Sequence, residues 1–300
     1  MTRIYLDNAA TTPLDPIVIE EMVNVMKSHY GNPSSIHAQG REVRTLIEKA
    51  RKTVAGLLNA TPAEIFFTSG GTEADNTAIR CGIGAFNIKH VITSKIEHHA
   101  VEHTLTMLLQ QGVIDKLSFV NVDNKGNVDY DHLEQLLQNN ERTFVSLMHA
   151  NNELGTLTDI MRVGEICEQY NAIYHCDTVQ TMGHYIHDVR KIKAHFLVCA
   201  AHKLHGPKGV GFLYVNDTIK ISPMIFGGSQ ERNMRGGTEN VYGIVGLAKA
   251  LEIAYSEMEQ HQAHIQDLKT YMKERLSAEI PDVTFNGETD PETSLYTVLN

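Results

Sequence analysis

Short apolar runs alternate with longer segments of helical period along most of the chain, and this alternation limits the fold more than any other feature. The apolar runs cover 65–68, 90–93, 117–122, 144–148, 173–176, 196–199 and 210–215. Segments with three- and four-residue apolar spacing separate most of them, beginning near Thr72, His98, Tyr130 and Arg162. Strands alternating with helices predict an α/β fold whose sheet is mainly parallel, seven-stranded and covered by helices on both faces. Right-handed crossovers then gather the functional loops at the carboxyl ends of the strands. Ahead of the sheet, Asp15 and Pro16 read as an N-cap and first helical residue, and Val43, Ile47, Val54 and Leu58 mark a second helix. After it, a long helix is expected from about Val241 to Ala278, then strands near 283–285 and 294–299. These last elements read as the start of a smaller α/β domain, incomplete because its final strand runs to Asn300. The expected division is a large domain over 15–250 and a partial small domain over 1–14 and 251–300.

Charge and cysteine usage narrow the partners. The 300 residues carry 36 acidic and 26 basic side chains, a formal net charge of −10, with no block of Lys and Arg. A surface that tracks phosphates needs a basic excess on at least one face, so direct nucleic-acid binding is not expected. The N-terminus has no apolar signal core and no run is long enough to span a bilayer, so no membrane partner is expected. Cys81, Cys167, Cys176 and Cys199 form no CxxC pair or disulfide framework, which suits a reducing cytoplasm.

The strand ends hold the candidate chemistry. After the first run comes SGGTEADN, placing Gly70 and Gly71 at a strand-to-helix turn. Free backbone N–H groups, the helix dipole and the Thr72 hydroxyl there suit a phosphate; a plain glycine turn capped by Thr72 is the other reading. Asp177 ends the fifth run, where a carboxylate requires a partner such as a protonated ring nitrogen, or serves as a helix cap. Lys203 follows the mostly apolar FLVCAAH, and partial burial would free its amine for Schiff-base chemistry; a snorkelling lysine is the alternative. Together, an anion-binding helix start, a carboxylate and a lysine at strand ends are the phosphate, pyridine-nitrogen and aldehyde partners that pyridoxal 5'-phosphate (PLP) requires. Neither Gly70–Gly71 nor Gly206–Gly209 matches a Walker loop, and the CGIG stretch at 81–84 lies inside a helix rather than opening one. His99 and His103 are one helical turn apart, but no third ligand stands out and no metal is expected. His98, at another strand's carboxyl end, is either a site residue or an exposed cap.

YLDNAATTP, GNPSSIH, SGGTEADN, EHHAV, HANNELGT, HCDTVQ, AHKLHGPKGVG and MRGGTEN occur in this order. They resemble, over essentially the whole chain, the cysteine desulfurases of NifS/IscS type in the class V aminotransferase family. The resemblance implies the fold-type I architecture of PLP-dependent transferases and a homodimer. It implies that Lys203 carries PLP, that Asp177 faces the pyridine nitrogen and that His98 stacks on the ring. Gln180 and Asn152 resemble groups near the ring oxygen and substrate, with Asn8 a further substrate contact. Gly71, Thr72 and His202 match phosphate-side positions, and Thr238 matches one supplied by the partner subunit. The implied reaction removes sulfur from L-cysteine, giving alanine and an enzyme persulfide for an acceptor such as an iron–sulfur scaffold or for tRNA thiolation.

Two departures from the family pattern set further expectations. Family members usually place a serine three residues before the lysine, against the phosphate; Ala200 stands there. A lost hydrogen bond to a charged group costs roughly 1.5–3 kcal/mol, so weaker but retained PLP binding is expected. The family's nucleophilic cysteine and substrate-carboxylate arginine lie beyond the region corresponding to Asn300. The 300 residues are therefore expected to bind PLP but be impaired in sulfur transfer, since Cys176 and Cys199 fall in core strands and Cys81 and Cys167 within helices. The alternatives are another class V aminotransferase or lyase, and a catalytically silent partner protein on the same fold.

Overall fold

The structure is a computed structural model describing residues 4–138 and 142–300. Residues 1–3 of the expected small domain lie outside the described residues. In chain order the helices are α1 (Pro16–Ser28), α2 (Ala38–Leu57), α3 (Gly71–Phe86), α4 (His99–Gln110), α5 (Tyr130–Leu137), α6 (Ile160–Gln169), α7 (Val189–Ile192), α8 (Val241–Ser256) and α9 (Met258–Glu279). The strands are β1 (Ile65–Thr68), β2 (His90–Thr93), β3 (Lys116–Phe119), β4 (Thr143–Ser146), β5 (Ile173–Asp177), β6 (Phe196–Ala200) and β7 (Gly211–Val215). They form one seven-stranded sheet in the order β1-β7-β6-β5-β4-β2-β3. Pairing is parallel from β3 through β6, and β7 runs antiparallel to both β6 and β1.

Local chemistry starts the helices where side chains can satisfy free amides. Asp15 Oδ1 accepts from Ile17 N at 2.7 Å ahead of Pro16, and Asp129 and Asp159 cap α5 and α6 in the same way. Every residue of β2, β4, β5, β6 and β7 is buried, as strands covered on both faces must be. Successive residues point into different layers: Val145, Leu197 and Cys199 pack with α1, α2, α5, α6 and α8, while Phe144, Phe196 and Val198 pack with α3 and α4.

Three expectations are corrected. The helix expected from Val241 to Ala278 breaks at Glu257 (φ −111°, ψ 9°), where the chain passes from mostly buried α8 to mostly exposed α9. Apolar periodicity continues across that change of packing, so it gave no sign of the break. No strand forms at 283–285 or 294–299; Ser294 makes only an isolated bridge to Thr156. The terminal segment is held by two backbone bonds to the 155–157 segment, Leu157 N to Thr293 O (3.0 Å) and Leu295 N to Gly155 O (2.6 Å), and by the buried Lys269 Nζ donating to Ser294 Oγ (2.8 Å) and Leu295 O (3.0 Å). Finally, Gly70, not Thr72, is the cap of α3.

Candidate active site

β1, β2, β4, β5 and β6 all end at the same edge of the sheet, since β1 and β6 both oppose β7. Their following loops enclose a cavity of about 290 Å³. Each strand end contributes a different kind of group. After β1, Gly70 adopts φ +149°, a conformation open to glycine, and α3 begins there without a side-chain cap. Gly71 and Thr72 line the cavity, and the first-turn amides of a helix have no partner within it. The space above this turn is kept by the lack of a side chain: a Cβ on Gly71 would stand 2.8 Å from Val179 Cγ2.

After β2, His98 caps α4, its Nδ1 accepting from Ala100 N at 3.1 Å, and its exposed ring borders the cavity. After β4, Met148 and Asn152 reach the cavity, Asn152 Nδ2 donating to Glu153 Oε1 at 2.8 Å. At the end of β5, buried Asp177 uses one oxygen to accept from Val179 N at 2.8 Å. No helix follows it, so the capping alternative does not apply. Gln180, three residues on, donates to Ala9 O at 3.0 Å and also faces the cavity.

After β6, Ala200 leads into a 3₁₀ turn at Ala201–Lys203. His202 Nδ1 lies 3.2 Å from Thr11 Oγ1, and Thr12 N donates to His202 O at 2.9 Å. Lys203 Nζ donates to Ala10 O at 2.9 Å and also to Ala9 O. Burial lowers the Lys203 pKa, against the opposing pull of Asp177 and Asp7. Burial also raises that of Asp177, countered by the Val179 N–H, His98 and Lys203.

An amine, a carboxylate and an uncapped helix start thus face one space, and this donor set fits PLP: the amine for its aldehyde, the carboxylate for its ring nitrogen, the amides for its phosphate. Two predicted positions lie elsewhere. Asn8 is exposed and outside the cavity lining. Thr238 borders a second cavity of about 170 Å³ with Ser69 and Arg235. Two buried acids close to the site escaped the sequence reading, Asp75 and Glu97. Asp75 stands four residues after Gly71, hence on the same helix face, which was the available signal; Glu97 carried none beyond its place beside His98.

The four cysteines are poorly suited to attack. Burial raises the thiol pKa of Cys167, Cys176 and Cys199, and of half-buried Cys81. None lines the cavity. Among the described residues, no helix is long and apolar enough to cross a membrane.

Residues 4–300 match the family model for class-V aminotransferases. A cysteine desulfurase IscS of Dictyoglomus turgidum is 45% identical over 287 residues, 95% of this chain and 72% of the relative. A putative cysteine desulfurase IscS 1 of Bacillus subtilis is 42% identical over 306 residues, 100% of this chain and 78% of the relative. Among solved structures, a NifS-like protein superposes with a TM-score of 0.93 at 39% identity, covering 98% of this chain and 80% of that one. SspA in complex with cysteine gives 0.84 at 30% identity, covering 98% and 82%.

Proposed function

We propose, from the premise that this chain belongs to the cysteine desulfurases of the class-V aminotransferase family, that its cavity takes L-cysteine as substrate and opens the path to its sulfur. The observation that carries this reading is the meeting of Lys203, Asp177 and the start of α3 around one cavity. Bound there, PLP supplies a carbonyl for the substrate amine and an electron sink for the bond that breaks.

The chain's own residues divide the remaining work. Lys203, its ammonium disfavoured by burial, holds the cofactor covalently and then moves the substrate's α-proton as a neutral amine. The negative charge of Asp177 keeps the ring nitrogen protonated. His98 covers the ring face, and Gly71, Thr72 and His202 take the phosphate. Gln180 and Asn152 serve the ring oxygen and substrate, with Asn8 a further substrate contact. Thr238, on its separate cavity, serves the site of a second copy in a homodimer.

Attack of a thiolate on the substrate sulfur would form an S–S bond as the substrate's Cβ–S bond breaks, leaving a persulfide on the thiol and, once Cβ takes a proton, alanine. With all four thiols held above their ordinary pKa and away from the cavity, this step uses a thiol other than Cys81, Cys167, Cys176 or Cys199. The 300 residues alone therefore bind PLP and are impaired in sulfur transfer. The persulfide's destination is an acceptor protein such as an iron–sulfur scaffold, and the setting is cytoplasmic. Residues 15–250 act as the large cofactor domain, with 1–14 and 251–300 as part of a smaller one.

Titration of the apo protein with PLP is expected to give a visible absorption band that Lys203→Ala abolishes. Alanine release from cysteine is expected to stay low. An unchanged band in Lys203→Ala would overturn the site; keto-acid formation without sulfide would mark an aminotransferase instead.

A further inference from the structure

The cavity's floor contains a second carboxyl group that the proposed roles do not use. Asp75, on α3, is 1% exposed and lines the cavity beside Asp177. One ligand atom each of Asp75, Asp177 and His98 lie within 4.8 Å of one another. Asp75 Oδ1 accepts no hydrogen bond, although it stands 3.2 Å from His175 Nε2, which likewise has no aligned partner. On its other side His175 Nδ1 lies 2.9 Å from Ser146 Oγ. Ser146, His175 and Asp75 thus form a buried line from the centre of the sheet to the residue that faces the ring nitrogen.

We propose that Asp75 is a positioning residue: it holds one proton against Asp177, so that the pair presents a single negative charge to the cavity, while His175 and Ser146 support it from behind. The reason is electrostatic. Two carboxylates this close in a dry environment cannot both stay ionised, because each raises the cost of charging the other. The groups facing Asp75 set where the charge goes. Lys203 and His98 favour ionisation of Asp177, which also accepts the Val179 N–H. Asp75 Oδ1 accepts no hydrogen bond, and burial foremost, then Asp177 and Glu97, opposes its charge. His175 does not neutralise it, since burial pushes its pKa down to about 3. The neutral ring pairs through Nδ1 with Ser146 Oγ, and its Nε2 makes no aligned hydrogen bond to Asp75. Asp177 therefore keeps the charge and Asp75 the proton.

The consequence for PLP rests on the reading of this cavity as its site, but the proton itself can be observed without cofactor. The infrared difference spectrum between wild-type apo protein and Asp75→Asn at neutral pH is expected to show loss of a protonated-carboxyl C=O band. Loss of a carboxylate band instead overturns the proposal. In the PLP-loaded protein, Asp75→Asn keeps a neutral donor toward Asp177, so the pH midpoint of the visible band should stay in place. Asp75→Leu removes the donor and is expected to move that midpoint and weaken PLP at least tenfold. A midpoint shift in Asp75→Asn, or none in a folded Asp75→Leu, would count against it. Should Asp75→Leu fail to fold, the Asn variant's infrared and pH readouts still decide. If PLP binds neither wild type nor variant, the cofactor reading fails while the infrared result stands on its own.

Discussion

Ala200 closes β6 where a hydroxyl would matter most. It borders the cavity, with its Cβ 3.6 Å from the position of a Cβ on Gly71, so the residue lies against the first turn of α3. A serine here would add a donor beside the amides proposed to hold the phosphate. A hydrogen bond to a charged group contributes roughly 1.5–3 kcal/mol, and Ala200→Ser is expected to lower the PLP dissociation constant by about 10- to 100-fold. Titration of the visible band would measure it; an unchanged constant would remove the phosphate from this end of the cavity. Lys203 and Asp177 were legible because each ends an apolar run, where a charged group has no bland partner along the chain. Asp75 was not, because its role depends on β5 and α4 arriving across the sheet, and no local pattern reports such neighbours.

Between elements, one buried tie is an ion pair. Arg51, on α2, is fully buried and bidentate to Glu231, with Nη1 to Oε2 at 2.7 Å and Nη2 to Oε1 at 2.8 Å. The same carboxylate accepts from Phe67 N at 2.9 Å, and Arg51 Nη1 reaches Ile65 O at 2.8 Å. The pair thereby fastens a helix, edge strand β1 and the loop after β7. Removing one member leaves an uncompensated buried charge, and Arg51→Met is expected to cost about 3–5 kcal/mol. Arg51→Met with Glu231→Leu should recover only part of this, since Phe67 N then lacks its acceptor. Urea unfolding followed by circular dichroism would show both; equal losses in the single and double variants would deny the charge explanation. At this scale the sequence announced the seven strands through apolar runs and α1 through Asp15–Pro16. It misread the terminal segment, where apolar residues at 283–285 and 294–299 resemble strands but only Ser294 pairs, in a single bridge to Thr156. There the buried Lys269 adds to the hold of that one bridge.

Across the whole molecule, buried titratable groups of opposite sense set the pH range of stability. Burial pushes His175 down to about 3 and His184, His187 and His195 to about 4, and lowers His149 well below its ordinary value. An unfolded histidine titrates near 6.5. As pH falls below that, the unfolded chain gains protons that the folded one refuses, so stability drops until the folded values are reached. Glu97 behaves in the opposite way. Its Oε1 accepts from Met148 N at 3.0 Å and Ser94 Oγ at 2.9 Å, but Oε2 has no partner, and burial pushes the pKa up to about 8. Its contribution is complete below the unfolded value of about 4.5 and declines as pH rises toward 8. Well above pH 6.5 the histidines are neutral in both states and the acids dominate, until near pH 8 Lys269, pushed down to about 8 by burial, begins to pull the other way; below pH 6.5 the histidines outnumber the acids. Unfolding free energy of the apo protein is therefore expected to peak between about pH 6 and 7.5. Each differing proton contributes a slope of about 1.4 kcal/mol per pH unit. Glu97→Gln keeps an acceptor for Met148 N while removing the titration, so it should make the alkaline limb shallower, Asp75 supplying the remainder, and leave the acid limb in place. Urea denaturation from pH 4.5 to 8.5 tests this directly: an alkaline limb of undiminished slope in Glu97→Gln would show that Glu97 is not losing a proton there.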